Sequence, residues 1–255
     1  MEVDFIRMHI GALPERRTLA EHSFPCGEVS RAGISRIAFI PCLDGVIPQC
    51  HMDLMSTIKT ICVYCGSGPG TNPSFVESAV TLGKIMAEQG IGLVYRGGSI
   101  GLMGAVAKSV LDNGGRVTGI IPEFLTKREN ALTAAQELIV THDMHERKRL
   151  MFERSDAFVA LPGGIGTLEE LVEQLTWQQL GRHSKPILMA NIDNFWEPLL
   201  ELLKHMRSTA FIRPTLPLDV LTADRAEDIL PRLRTAAALA SDEAKKLAPD
   251  VATRL

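Results

Sequence analysis

Residues 157–181 read AFVALPGGIGTLEELVEQLTWQQLG, and this stretch decides which fold the chain can adopt. Its apolar beginning, AFVAL, predicts a buried β-strand, which the glycines of the following PGGIGT loop bring to an end. The residues after the loop keep helical spacing, so a helix is predicted to begin at once. A strand, a glycine loop and a helix in this order are typical of parallel α/β folds, whose loops place backbone N–H groups around bound anions.

The same alternation of strands and helices continues from about residue 56 to residue 235. The predicted strands are apolar along their length, which is typical of a parallel sheet covered by helices on both faces. We therefore predict an α/β fold, a Rossmann-like doubly wound parallel sheet, with any ligand bound beyond the carboxyl ends of the strands. Strands are predicted at residues 60–65, 91–95, 116–121, 138–141, 157–161, 186–191 and 219–222, and helices between them include residues 73–90, 102–113, 145–155 and 195–209.

The 255-residue chain is predicted to contain one folded domain between two less regular ends. Residues 1–55 scatter cysteine, proline, histidine and glycine without a sustained period, which indicates a disordered N-terminal extension or an upstream mis-start. Residues 56–235 form the predicted Rossmann-like domain. Residues 236–255 are expected to be a polar C-terminal helix or tail.

Charge and cysteine content argue against several classes of function. A formal net charge of −3 provides no broad basic surface, so we expect neither nucleic acid nor a membrane as a partner. No run has the pattern of a membrane-spanning helix or a signal peptide. All five cysteines lie at or before Cys65, and we interpret the Cys62-x-x-Cys65 pair as reduced structural thiols, which favours a cytoplasmic location.

The glycine loops indicate a phosphate ligand but argue against NAD and against a P-loop. The first loop, GSGPG at residues 66–70, breaks the spacing of the dinucleotide fingerprint. The second strand is followed by Arg96, without the acidic residue that usually binds the ribose of NAD. The loops at residues 97–101 and 163–167 each lead into a helix, whose N-terminal N–H groups favour an anion. The simpler interpretation is that these glycines only permit tight turns.

Acidic residues directly follow the last of these loops, and helical geometry separates their roles. At 3.6 residues per turn, one face is expected to pack against the core and carries Leu168, Leu171, Val172 and Leu175. The opposite face is expected to carry Glu170, Glu173, Gln174 and Trp177. Glu169 fits the role of a first-turn charge. Glu170 instead lies within reach of a sugar on the bound phosphate, where a carboxylate can stabilise an oxocarbenium ion or activate water.

Several motifs, taken together, are specific to one family. They are PGGIGTLEE at residues 162–170, MHERK at 144–148, CGS at 65–67, GSIGLMG at 98–104 and TWQQLG at 176–181. On these motifs the chain resembles the LOG ("lonely guy") family of cytokinin-activating phosphoribohydrolases, which older usage labels lysine decarboxylase-like. The resemblance extends over residues 57–230, most of the regular part of the chain.

The resemblance implies hydrolysis of N6-substituted adenosine 5′-monophosphates, with AMP as a further candidate, to free base and ribose 5-phosphate. It implies that Arg147 and Glu170 are the essential pair, and that no metal or organic cofactor is needed. It also implies a homodimer. Trp177 is apolar and lies on the predicted non-core face of its helix, so we take it as a candidate interface residue. The residues expected to bind substrate are Ser67, Gly98, Met144, Lys148, Gly163, Gly164, Gly166, Thr167 and Glu173.

One departure and two alternatives stand beside this interpretation. Arg96 occupies a position where the family usually has glycine, and an arginine there costs stability or shifts the loop if the backbone needs a positive φ. Two further effects of this arginine stay open at this point, crowding of the nucleotide and an added contact to the phosphate. A non-enzymatic carrier of a nucleotide or pterin cofactor is one alternative, although a carrier needs no carboxylate facing the sugar. A pyridoxal phosphate-dependent decarboxylase is the other, but nothing singles out a lysine for that role.

Overall fold

The computed structural model describes residues 58–127, 135–212, 218 and 220–247, with side chains described up to residue 242. The expected N-terminal extension, residues 1–55, lies outside the described residues. The described residues contain seven strands: β1 Thr60–Tyr64, β2 Gly92–Tyr95, β3 Val117–Pro122, β4 Glu137–Thr141, β5 Ala157–Ala160, β6 Ile187–Ala190 and β7 Leu221–Ala223. They form one parallel sheet in the order β4-β3-β2-β1-β5-β6-β7, which confirms the predicted fold class.

In the part of the chain that the structure describes, six α-helices connect or follow these strands. They are α1 Pro73–Glu88, α2 Gly101–Asp112, α3 Met144–Glu153, α4 Ile165–Gln179, α5 Glu197–Ser208 and α6 Ile229–Leu247. The seven predicted strands and the helices predicted at residues 73–90, 102–113, 145–155 and 195–209 lie within two residues of these bounds. Helix α6 continues through residue 235 and buries Ala237 in the core. Among the described helices, none has both the length and the apolar composition needed to cross a lipid bilayer.

Two hydrophobic layers cover the sheet, one on each face. Helices α1, α2 and α6 pack on one face, where Leu82, Val106 and Leu233 join a single buried cluster. Helices α3, α4 and α5 cover the other face, where Met151 and Leu171 belong to a second cluster. Each fully buried side chain of this size contributes about 1.5–3 kcal/mol through removal of apolar surface from water. The strands are therefore enclosed on both sides, as their continuous apolar sequence predicts.

Helix α1 shows how local sequence signals set an element boundary and a packing distance. The Asn72 side chain accepts a hydrogen bond from Ser74 N at 3.1 Å and caps the helix, and Pro73 occupies its first position. Gly83 lets α1 approach α2 closely, because a Cβ there would lie 2.7 Å from the carbonyl oxygen of Val106. Ser109 Oγ bridges the two helices by donating to the Val80 carbonyl at 2.6 Å.

The strand order places a crevice beside the central strand. The chain runs outward from β1 through β2, β3 and β4 on one side, and β5 lies on its other side. Loops that follow β1 and β5 therefore turn away to opposite sides of the sheet, which opens a binding crevice at their carboxyl ends. Gly66 N donates to the Pro162 carbonyl at 3.1 Å, so the two loops touch at the base of this crevice.

Replacing Gly83 by alanine is expected to lower the free energy of unfolding by about 1–3 kcal/mol. A clash with a backbone oxygen outweighs the better helix propensity of alanine, which is worth about 1 kcal/mol. Urea unfolding followed by circular dichroism measures the change. Lys84→Ala, on the exposed side of the same turn, is the matched control and should stay within about 0.5 kcal/mol of wild type. Unchanged stability of Gly83→Ala would contradict the close packing of α1 and α2.

Candidate functional site

A cleft of about 320 Å³ lies where the loops after β1 and β5 meet. Residues 66–70 and 162–164 form its glycine-rich side, which includes three of the predicted binding residues: Ser67, Gly163 and Gly164. Phe75, Leu102 and Phe195 form an apolar side. The cleft thus combines backbone polar groups with a hydrophobic surface, as sites for small organic ligands commonly do.

A hydrogen-bonded aspartate holds the aromatic part of this cleft in place. Phe75 and Phe195 pack edge to face with their ring centroids 5.5 Å apart. Asp193, two residues before Phe195, accepts hydrogen bonds from Asn72 Nδ2 at 2.5 Å and from Ser74 Oγ. Asp193 adopts a left-handed φ of 47°, a conformation that a non-glycine residue adopts at an energetic cost. The loop after β6 is therefore fixed to the N-terminus of α1.

Gly163 and Gly164 have different roles although they are adjacent. A Cβ on Gly163 would overlap Thr167 Oγ1 and lie 2.9 Å from Gly66 N, so only glycine permits the contact between the two loops. A Cβ on Gly164 would meet no atom within 4 Å. Gly163 is therefore needed for packing, whereas Gly164 leaves open space at the start of α4.

The first turn of α4 has the features of an anion-binding site. Gly164, Ile165 and Gly166 are exposed, so ligands can reach the N-terminus of the helix, where the dipole favours negative charge. Thr167 N and Leu168 N both donate to the Gly164 carbonyl at 3.0 Å. The buried hydroxyl of Thr167 makes no hydrogen bond with any described residue. A ligand oxygen at this turn would give that hydroxyl a partner.

One turn further along α4, Glu170 forms a buried ion pair with Arg147 of α3. Arg147 Nη2 donates to Glu170 Oε1 at 2.8 Å, and the two side chains are 2% and 1% exposed. Asp143 caps α3 by accepting from Glu146 N at 2.8 Å, which fixes the helix that carries Arg147. The structure therefore brings together the two residues that the sequence singles out as essential, directly behind the exposed turn of α4.

Arg96 is a third charged residue at this position, and its backbone is not strained. The positive φ in its loop falls on Gly97, at 78°, so the predicted cost of an arginine at position 96 is absent. Arg96 Nη2 donates to the Cys65 carbonyl, and Arg96 Nε lies 3.7 Å from Glu170 Oε2. The carboxylate of Glu170 therefore faces guanidinium groups from two separate elements.

Lys148 belongs to a second, more exposed ion cluster beside this pair. Its Nζ lies 2.7 Å from Glu169 and 2.9 Å from Glu173, both on α4. Burial lowers the pKa of Lys148, but the hydrogen bonds to Glu169 and Glu173 outweigh it and raise the pKa above its ordinary value. Met144 begins α3 and is half-buried. The cluster keeps Lys148 protonated and ties α3 to α4.

The predicted orientation of α4 is correct for Leu171 and Leu175, which are buried, and wrong for three other residues of the helix. Its buried residues are Thr167, Glu170, Leu171, Gln174 and Leu175, whereas Val172, expected in the core, is 42% exposed. Glu170 and Gln174, expected on the opposite face, are buried. The helix is rotated toward Glu170, which pairs with the buried Arg147, so polarity does not mark the outside of this helix.

Other predicted residues lie apart from the cleft. Gly98 is buried after β2 and does not line the cleft, while Gly166 lies beside Arg96. Cys62 and Cys65 are free and buried, and burial raises the pKa of both thiols, that of Cys65 to about 12. Both thiols are therefore protonated at neutral pH. Within the described ranges, no group of three or more His, Cys, Asp or Glu side chains is arranged to hold a metal ion.

Sequence reasoning missed the aromatic side of the cleft and the aspartate that holds it. Phe75 and Phe195 are separated by 120 positions, and each alone resembles an ordinary core residue. The paired phenylalanines at the starts of two helix-forming segments were the available signal. Their proximity follows only from the strand order, which brings the loop after β6 beside the N-terminus of α1.

Comparison with known proteins gives consistent relatives. A family model described as possible lysine decarboxylase matches residues 103–233. The cytokinin riboside 5′-monophosphate phosphoribohydrolase LOG of Oryza sativa subsp. japonica is 46% identical over 178 residues, which cover 70% of this chain and 74% of the rice protein. The cytokinin riboside 5′-monophosphate phosphoribohydrolase LOG1 of Arabidopsis thaliana is 42% identical over 182 residues, covering 71% of this chain and 85% of that protein.

A solved structure shares the fold at lower sequence identity. The molybdenum cofactor binding protein from Rippkaea orientalis superposes with a TM-score of 0.53 and 25% identity, covering 69% of this chain and 95% of that one. The same architecture therefore occurs in a protein named for binding a cofactor as well as in relatives named for hydrolysis. The fold alone does not distinguish cofactor binding from hydrolysis, so the function has to be inferred from the chemistry of the site.

Replacing Gly163 by alanine is expected to lower the melting temperature by several degrees, because the new methyl group forces the loops after β1 and β5 apart. Differential scanning calorimetry measures the shift. The matched control, Gly164→Ala, places its methyl group in open space and should melt within about 1 °C of wild type. Equal melting temperatures for the two variants would show that the loops do not touch at Gly163.

Proposed function

The chain belongs to the LOG family of cytokinin riboside 5′-monophosphate phosphoribohydrolases, and on this premise we propose that it hydrolyses N6-substituted adenosine 5′-monophosphates. Water adds to C1′ of the ribose as the C1′–N9 bond breaks. The departing base takes up a proton and C1′ keeps the hydroxyl, so the products are the free base and ribose 5-phosphate. AMP is a second candidate substrate of the same site.

The single observation that carries this proposal is the buried Arg147–Glu170 ion pair one turn behind an anion-binding helix N-terminus. In the proposed complex, Glu170 faces the ribose and stabilises the positive charge that develops on C1′ and the ring oxygen. Arg147 holds the carboxylate in one orientation and helps to position the nucleotide. A charged pair with such low exposure costs desolvation energy, which a catalytic role explains better than stability does.

The phosphate of the substrate is proposed to bind the first turn of α4. Backbone N–H groups of that turn, the Thr167 hydroxyl and Ser67 on the facing loop are the proposed ligands. A phosphate fixed there places the ribose near Glu170, so its binding energy is used to position the bond that breaks. The remaining proposed substrate-binding residues are Gly98, Met144, Lys148, Gly163, Gly164, Gly166 and Glu173.

Two alternative functions are less consistent with the site. A cofactor carrier is suggested by the fold shared with the Rippkaea orientalis protein, but carriage does not require a buried carboxylate beside the phosphate site. A decarboxylase that forms an imine needs a neutral lysine amine. The site lysine, Lys148, is paired with Glu169 and Glu173, and its pKa is raised by these hydrogen bonds. Lys148 is therefore protonated at neutral pH.

A homodimer is proposed to form through the outer face of α4. Ile165, Val172 and Leu180 are 83%, 42% and 65% exposed and lie along one side of this helix and its C-terminal end. Trp177, half-buried against Phe152 with ring centroids 5.2 Å apart, remains a candidate at the edge of that surface.

A cytoplasmic location is also proposed, and the free thiols Cys62 and Cys65 support it.

Val172→Asp is expected to convert the proposed dimer into a monomer, because a charge at the centre of an apolar interface is left without a partner. Sedimentation equilibrium measures the mass of both proteins. Glu201→Gln, on the exposed side of α5, is a control that should leave the mass unchanged. A wild-type protein that is monomeric at micromolar concentration would contradict the proposed dimer.

Glu170→Gln and Arg147→Ala are each expected to lower kcat/KM for isopentenyladenosine 5′-monophosphate by at least about 100-fold, because charge stabilisation at the ribose is lost. Chromatographic detection of free base measures turnover, with AMP tested in parallel. Glu153→Gln and Arg149→Ala, an exposed pair on α3, are the matched controls and should retain wild-type rates. Full activity of Glu170→Gln would overturn the proposed mechanism. Tight binding without cleavage by the wild-type protein would instead favour a carrier.

A further inference from the structure

We infer that Arg96 is a positioning residue that acts through Glu170, holding the second carboxylate oxygen while Arg147 holds the first. The inference rests on the proposed function, since Glu170 is the proposed catalytic carboxylate. Arg147 Nη2 contacts Oε1 at 2.8 Å, and Arg96 Nε lies 3.7 Å from Oε2. The hydrogen bond at Oε1 and the nearby charge at Oε2 favour one orientation of the carboxylate, so its charge stays directed toward one place.

The position of the Arg96 guanidinium is fixed by contacts at both ends of the group. The side chain is 10% exposed and extends from the end of β2 toward β1. Its Nη2 donates to the Cys65 carbonyl, directly after β1. That hydrogen bond sets the guanidinium next to Glu170 and leaves an ion-pair distance rather than a hydrogen bond between Nε and Oε2.

Gly166 shows that Arg96 also supports the first turn of α4. A Cβ on Gly166 would lie 3.2 Å from Arg96 Nη1, closer than ordinary van der Waals contact. The guanidinium therefore packs beneath the turn that is proposed to bind phosphate. Arg96 thus joins three parts of the site: the end of β1, the start of α4 and the carboxylate of Glu170.

The other titratable groups near Glu170 do not replace the charge of Arg96. Cys62 and Tyr64 of β1 are buried, and burial followed by nearby negative charge raises the pKa of both groups, so both are neutral at neutral pH. The Cys65 thiol is likewise neutral, because burial raises its pKa to about 12 despite the charge of Arg96. Glu173, on the same helix, pairs with Lys148. The guanidinium groups of Arg147 and Arg96 therefore supply positive charge directly at the carboxylate.

Removal of Arg96 is therefore expected to change turnover and its pH dependence rather than substrate binding. With one cation fewer at the carboxylate, protonation of Glu170 becomes easier, and activity should be lost at higher pH on the acidic side of the profile. The carboxylate also becomes free to turn away from the ribose. Both effects lower kcat. The groups proposed to bind the phosphate directly are all retained in the variant, so KM should change much less than kcat.

The test compares kcat and KM of wild type, Arg96→Met and Arg96→Lys across pH 4–8 with isopentenyladenosine 5′-monophosphate. Arg96→Met should lower kcat about 10–100-fold, shift the acidic limb to higher pH and leave KM within about threefold. Arg96→Lys should recover part of kcat and of the pH shift, because it keeps the charge. Arg116→Met, an exposed arginine before β3, is the control for loss of one positive charge.

Three results overturn the inference: unchanged kcat and acidic limb in Arg96→Met, a raised KM with unchanged kcat, or a Lys variant no better than the Met variant. Circular dichroism establishes that the variants are folded. If Arg96→Met is misfolded, the acidic limb of the pH profile of Arg96→Lys is compared with that of wild type instead. A second readout does not need turnover. The ¹³C carboxyl signal of Glu170, assigned with Glu170→Gln, should titrate at higher pH in Arg96→Met. An unchanged titration contradicts the inference whether or not the wild-type protein releases base. Failure of the wild-type protein to release base refutes the proposed function alone.

Discussion

The buried ion pair between Arg147 and Glu170 is the interaction on which the rest of the site depends. Two charges removed from water are tolerated only when geometry and neighbouring groups compensate for their lost hydration. Here the compensation comes from a direct hydrogen bond of 2.8 Å and from the second guanidinium, Arg96, 3.7 Å away. Helix α3 must therefore begin at a fixed point, which its Asp143 cap provides, and α4 must turn a polar face inward. The desolvation cost of the ion pair therefore arises beside a helix N-terminus that suits a phosphate.

Contact between the loops after β1 and β5 is the second constraint, and it connects the fold to the ligand. Strand order alone opens a crevice beside β1, but Gly66 and Gly163 determine how closely its two sides approach. The first turn of α4 is exposed, and Glu170 is buried one turn behind it. In the proposed complex, the anion at that turn is the phosphate of the substrate, and the carboxylate one turn behind it faces the ribose. Phe75 and Phe195 add an apolar surface to the cleft.

The strands and helices of this protein could be predicted from its sequence, whereas the inward face of α4 could not. Strands and helices followed from continuous apolar runs and from caps such as Asn72, because these signals are local. The rotation of α4 depends on partners that are distant in sequence: Glu170 is buried because Arg147 and Arg96 meet it, and Val172 is exposed although it is apolar. Conversely, the backbone strain expected at Arg96 is absent because Gly97, and not Arg96, adopts the positive φ. The aromatic side of the cleft was missed because its two members meet only through the sheet order.

We propose that α4 binds the phosphate and that Glu170 acts at the ribose. Together these roles require a substrate that carries both a phosphate and a ribose. The most direct test compares release of free base from isopentenyladenosine 5′-monophosphate and from isopentenyladenosine, which lacks the phosphate, at equal concentration. We expect cleavage of the monophosphate, with base and ribose 5-phosphate formed in equal amounts, and a rate at least about 100-fold lower for the nucleoside. Equal cleavage of both compounds, or no base from the monophosphate, would contradict the account.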